Sequence, residues 1–178
     1  MATDYDRTFR TSQQRTPNGH NIYCLISVQS LVARQTWPCT LNFSSNCHVF
    51  PTTWTLGIVY RQVQETGRFS CSVTLRRNDS LNILVNAHVL VSFVNRNGRV
   101  IRFQQTIFND PILPDHERQG SIYDALLPAY LRFLNSQDIE LQVTIFFRSC
   151  HSTRNFQPIT LTRLKHDENR RRLVERSL

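Results

Sequence analysis

The chain has 178 residues, 40% of them hydrophobic and 10% aromatic, and its 21 Lys and Arg against 13 Asp and Glu leave a formal charge of +8. That length suits one domain with tails, and that hydrophobicity supplies a core, which excludes wholesale disorder and a pair of large domains. The positive balance attracts polyanions or acidic partners through a field that salt screens, without specifying which.

The opening residues Met1 to Asp6 hold no apolar run, and no later stretch reaches the roughly 18 uncharged apolar residues of a membrane helix. The sequence therefore predicts a soluble protein with no membrane partner, in the cytoplasm and/or nucleus. Cys24, Cys39, Cys47, Cys71 and Cys150 form an odd set with no Cys-x-x-Cys pair, which fits reduced thiols.

In chain order, residues 1–20 are polar and carry Arg7, Arg10 and Arg15 before the turn signal Pro17-Asn18-Gly19, so a flexible basic arm is expected there. Residues 21–150 change to short β-branched and aromatic runs between turn residues, the texture of an antiparallel sandwich. Asn21–Val28 is the first run. Over Thr53–Tyr60 the two-residue period sets Trp54, Leu56 and Ile58 on one face, and Phe69, Cys71, Val73 and Leu75 alternate with Ser70, Ser72 and Thr74. Leu81–Val94 reads as a long apolar strand, and Arg96-Asn97-Gly98 turns it back into Arg99–Phe103, because Asn-Gly supplies the positive φ of a tight hairpin. Pro111 and Pro114 mark Asn109–Gln119 as an exposed loop, Tyr123–Leu127 fits a helical turn ended by Pro128, and Ile139–Phe147 alternates as the closing strand. Residues 151–178 are expected to be a connector and a short charged C-terminal helix bearing Arg170, Arg171 and Arg172.

Together these runs predict an all-β, antiparallel sandwich of about seven to eight strands. Ser72-Val73-Thr74-Leu75, followed by Ala87–Asn95 and then Gly98, resembles the "S-x-x-L … A-x-F-x-F-S-I-L-N-x-x-G" pattern of MATH (TRAF-like) domains. Phe43-Ser44-Ser45 with Trp54-Thr55-Leu56 is similar to that family's "F-S-S … W-x-L", and Leu134–Val143 to its last strand. The resemblance spans residues 22–147 and implies a TRAF-like fold that holds a short, extended, Ser/Thr-rich peptide in an aromatic-lined groove. It sets the groove on Thr74, Val89, Ser121 and Tyr123, of which only Tyr123 keeps aromatic character. The inherited fold is thus expected with an altered peptide specificity.

Two further constellations bear on chemistry. Cys47-His48 and Cys150-His151 are adjacent Cys-His pairs that supply four zinc ligands if the fold joins them. Neighbours on a strand point to opposite faces, however, so the pairs are read as buried or idle thiols and no metal is expected. Arg76, Arg77, Arg96, Arg99 and Arg102 lie at strand ends of the expected hairpins, where they would contact phosphates while Phe103 or Tyr60 stacked on a base. The sequence contains no His-Glu-x-x-His, phosphate loop or Ser-centred elbow, so no enzyme activity, catalytic residue or cofactor is expected. Its predicted role is a protein–protein interaction module, an adaptor or scaffold that binds a peptide or partner protein, for example to recruit it to a ubiquitin ligase or nuclear complex. The alternative is a basic sandwich that binds RNA or DNA, a nucleic-acid-binding or viral capsid-like protein.

Overall fold

A computed structural model describes residues 9–28, 36–63, 66, 68–95, 100–126 and 139–151. Nine strands run through them: β1 (Phe9–Thr16), β2 (Gly19–Val28), β3 (Thr36–Ser45), β4 (Thr52–Val63), β5 (Arg68–Arg77), β6 (Val85–Asn95), β7 (Val100–Ile112), β8 (Glu117–Leu126) and β9 (Ile139–Arg148). They form two antiparallel sheets, ordered β1-β2-β9-β6-β7 and β3-β4-β5-β8. The all-β sandwich expected from the alternation is the observed architecture. Among the described residues no helix is long and apolar enough to cross a membrane.

The two-residue period decides what lies between the sheets. From the four-stranded sheet come Trp54, Leu56, Ile58 and Tyr60 on β4 and Phe69, Cys71, Val73 and Leu75 on β5, all buried. Facing them are Ala87, Val89, Val91 and Phe93 on β6 and Leu141, Val143, Ile145 and Phe147 on β9, also buried. Aromatic contacts join the layers. Trp54 stacks on Phe147 at 4.5 Å between ring centroids, and Phe93 meets Phe69 edge-on at 4.7 Å. Large side chains buried this fully contribute about 1.5–3 kcal/mol each, which makes this layer the main stabilising element.

Several local expectations change. Phe9–Thr16 pairs with β2 along its whole length, so the arm expected over residues 1–20 is a strand from Phe9 onward. Polar strands of this kind escape a hydrophobicity-based reading because their support is the ladder with a neighbour, not an apolar face. The loop expected over Asn109–Gln119 shrinks to Leu113–His116, with Asp115 in the left-handed region at φ 57°. Pro111 sits in β7, which is tolerated because β7 is an edge strand. Tyr123 to Leu126 belong to β8 rather than to a helical turn. The strand expected from Leu81 starts at Val85, and the β6–β7 hairpin is present through the pairing of Val94 with Val100. The C-terminal helix and Arg170 to Arg172 lie outside the described residues.

Candidate functional site

The outer face of the four-stranded sheet is built from the alternate residues that the core leaves out. On β5 these are Ser70, Ser72, Thr74 and Arg76, and their cross-strand partners include Gly57 and Thr55 on β4 and Ser121, Gln119 and Glu117 on β8. The face is a polar, hydrogen-bonded surface. The Gln119 amide donates to Ser72 Oγ at 2.9 Å, and Ser121 Oγ donates to the same oxygen at 3.0 Å. Farther along, Asn78 Nδ2 donates to Thr55 Oγ1 at 2.7 Å, which donates to Asn42 Oδ1 at 2.6 Å. Beside this lattice stands Tyr123, 78% exposed. Its projection has a backbone cause: Phe69 pairs with Ala125 but Cys71 with Ile122, so β8 carries an extra residue opposite Ser70. A bulge of this kind re-aims a side chain away from the regular pleat.

Of the groove residues implied by the family resemblance, Thr74, Ser121 and Tyr123 share this outer face. Val89 does not. It is fully buried on β6 between the sheets, where the same alternation that buries Ala87 and Val91 points it inward. A groove position at Val89 is therefore corrected to a core position.

The arginines expected to form one polyanion patch are not assembled. Arg76 is exposed and opposite Glu117, whereas Arg77 is completely buried. Its Nε and Nη2 donate to the Asp79 carboxylate at 2.9 and 2.7 Å, and its remaining donors serve the carbonyls of Leu81, Ile83 and Ile112. Arg102 pairs with Phe93 near the start of β7, while Arg77 bonds Ile112 at the opposite end of that strand. At about 3.4 Å per residue the two ends are roughly 30 Å apart. Arg96 and Arg99 lie outside the described residues.

A second site was only half legible in the sequence. The two Cys-His pairs do converge, but the fourth member is His20, not His48. His20, Cys47, Cys150 and His151 each offer a ligand atom, and these four atoms lie within 4.8 Å of one another. Three segments meet here: the start of β2, the β3–β4 connection and the turn after β9. Gly19 lets the first approach β9, since a Cβ there would fall 1.8 Å from the Phe147 carbonyl oxygen. Ser149, in the left-handed region at φ 70°, turns the chain so that Cys150 and His151 follow β9 directly into the cluster. His20 was missed because its membership comes from pairing with Phe147 across nearly the whole sequence.

His20, Cys47 and Cys150 are buried and His151 is half-buried. The Nε2 atoms of His20 and His151 are 2.8 Å apart, and the rings meet edge-on. Gln13 Nε2 lies 2.9 Å from His20 Nδ1. The Phe50 backbone N–H donates to Cys47 Sγ at 3.4 Å, and Cys47 Sγ donates to the Cys150 carbonyl at 3.6 Å. Burial, then the nearby His151 and Arg15, lowers the His20 pKa from its ordinary value. Burial first, then Cys47, pushes the Cys150 thiol up to about 12.

No protein-family model matches the chain, and no curated protein does. Among solved structures it is similar to the C-terminal family 22 carbohydrate-binding module of Clostridium thermocellum Xyn10B, at 9% identity over 65% of this chain and 83% of that one, TM-score 0.28. A xylan-binding family 22 domain gives 10% identity over 65% and 84%, TM-score 0.28. The N-terminal family 22 and GH10 modules of Clostridium thermocellum xylanase 10B with xylohexaose give 9% over 64% and 25%, TM-score 0.27. Superpositions this loose carry no argument about ligand or function.

Proposed function

We propose that the protein is a non-catalytic binding module, an adaptor of MATH or TRAF-like kind, that holds an extended peptide of a partner protein across β5 and β8. One observation carries the reading: Tyr123 stands 78% exposed at a bulge beside the hydroxyl and amide lattice of Ser72, Gln119 and Ser121. An exposed aromatic next to ordered polar groups is the composition of an interface anchor, because the ring supplies apolar area and the lattice supplies directional partners. Because β8 is an edge strand, an extended peptide can lie alongside it and bond its main chain. Thr74 and Ser121 set the floor of this surface. In a cytoplasmic or nuclear setting, the module would bring its bound partner to a larger assembly such as a ubiquitin ligase.

The test is a titration of the full chain with short Ser/Thr-rich peptides, followed by backbone amide shifts. The expected shifts fall on β5 and β8, and Tyr123→Ala weakens binding about tenfold without moving the thermal midpoint. Shifts confined to the five-stranded sheet would refute the reading. So would tight binding of an RNA or DNA oligonucleotide that collapses with added salt while no peptide binds, which is the behaviour of the +8 chain as a nucleic-acid binder.

A further inference from the structure

We infer that His20, Cys47, Cys150 and His151 form a structural zinc site that clamps the two sheets together at one end of the sandwich. This inference is independent of the peptide surface on β5 and β8.

The donor set is the first argument. Two sulfurs and two imidazole nitrogens are a preferred zinc environment, and four protein ligands close the tetrahedron, which marks a structural rather than a catalytic centre. Geometry is the second. Ordinary Zn–N and Zn–S lengths give tetrahedral edges of about 3.4 Å between two nitrogens and about 3.8 Å between two sulfurs. The four donor atoms already lie within 4.8 Å of one another. The His20 and His151 nitrogens, 2.8 Å apart, need to separate by roughly half an ångström, a side-chain adjustment.

The neighbours fit as well. Nε2 of His20 faces the cluster with Gln13 on its Nδ1 side, and turning the Gln13 amide over sets its oxygen to accept the Nδ1–H that a zinc-bound imidazole normally donates. The Phe50 N–H directed at Cys47 Sγ suits a thiolate. Charge balances too. Zn²⁺ displaces the protons of Cys47 and Cys150 to solvent, and two thiolates with two neutral imidazoles leave the filled site with no net charge. That neutrality is compatible with ligands as buried as His20 at 1% and the two cysteines at 3% exposure. A Cys47–Cys150 disulfide, by contrast, would use neither histidine. The close Gly19 contact and the left-handed Ser149 both serve to bring these segments to one point.

The site would join β2 and β9 of one sheet to the β3–β4 connection of the other, a link between layers that meet mainly through apolar packing. The experiment uses the full chain, stripped of metal by a chelator under reducing conditions and titrated with Co²⁺ and then Zn²⁺. The expected result is the visible absorption of tetrahedral, thiolate-bound cobalt, saturating at one ion per chain and bleached by zinc. Cys47→Ser and Cys150→Ser should abolish it, whereas His48→Ala should leave it intact. Zinc at about a hundredfold above its dissociation constant should raise the thermal midpoint by about 5–10 °C. Absence of the tetrahedral spectrum from the unsubstituted chain would overturn the inference, and that reading needs no variant to fold. A spectrum that survives Cys47→Ser, or one lost in folded His48→Ala, would also overturn it. So would a Cys47–Cys150 disulfide in protein whose thiols were trapped at lysis.

Discussion

Arg77 ends β5 inside the protein, where its guanidinium lies 5.9 Å from the Trp54 ring centroid and its side chain has no exposure to solvent. Such a charge is stable only while its hydrogen bonds are complete, and here a carboxylate and three backbone carbonyls complete them. Arg77→Ala would strand the Asp79 carboxylate and those carbonyls, and should cost about 3–5 kcal/mol by urea denaturation. Arg76→Ala, one residue away on the exposed face, should change stability by less than about 0.5 kcal/mol. Asp79 gives the same cluster a pH dependence. Burial raises its pKa, but the Arg77 hydrogen bonds and charge, with the Leu81 and Thr53 backbone N–H groups, outweigh that and hold it below its ordinary value. A depressed folded-state pKa adds stability above the unfolded value, lost as pH falls through the folded one. The thermal midpoint should therefore decline below about pH 4, and Asp79→Asn should start lower and decline less.

Strands set the next scale, and β8 is the one on which the binding surface depends. Gly120 is inward on β8, and a Cβ there would stand 2.5 Å from the Ile107 carbonyl oxygen and 2.7 Å from its Cγ2. The missing side chain is what lets β8 approach β7 and hold Ser121 and Tyr123 in place. Gly120→Ala should lower stability by about 1–3 kcal/mol, speed amide exchange along β8, and weaken peptide binding. The alternation on β4 and β5 was readable from the sequence because each strand has one wet and one dry face. Arg77 shows the boundary of that method: it follows the inward phase of Phe69, Cys71, Val73 and Leu75, yet its charge suggested an outward, anion-binding role. Tyr123 shows another, since its neighbours Ala125 and Leu126 read as a helical turn when the bulged pairing with β5 is not known.

Across the molecule, stability should be graded by position in the two sheets. The inner strands β2, β9 and β6, and β4 and β5, pair on both sides, whereas β1, β7, β3 and β8 are edges. Native-state hydrogen exchange should find the slowest amides on β9 and β6 and faster ones on β1, because inner strands open only with the whole sandwich. Zinc should slow exchange at Gly19, His20 and the end of β9 beyond its effect elsewhere.

Sequence by itself determined the fold class and most of the core. Alternating Trp54, Leu56 and Ile58, or Phe69, Cys71 and Val73, can satisfy water and core together only as strands with one face buried. It also supplied three members of the Cys-His cluster and, through the family resemblance, marked Tyr123 as a groove residue. Tertiary structure alone decided which sheet each strand joins, and therefore that Val89 is core, that Arg77 is paired, and that Arg76 and Arg102 are far apart. It alone recruited His20 to Cys47, Cys150 and His151. The physical reason is separation along the chain: local periodicity fixes which way a side chain points, whereas long-range pairing fixes what it meets.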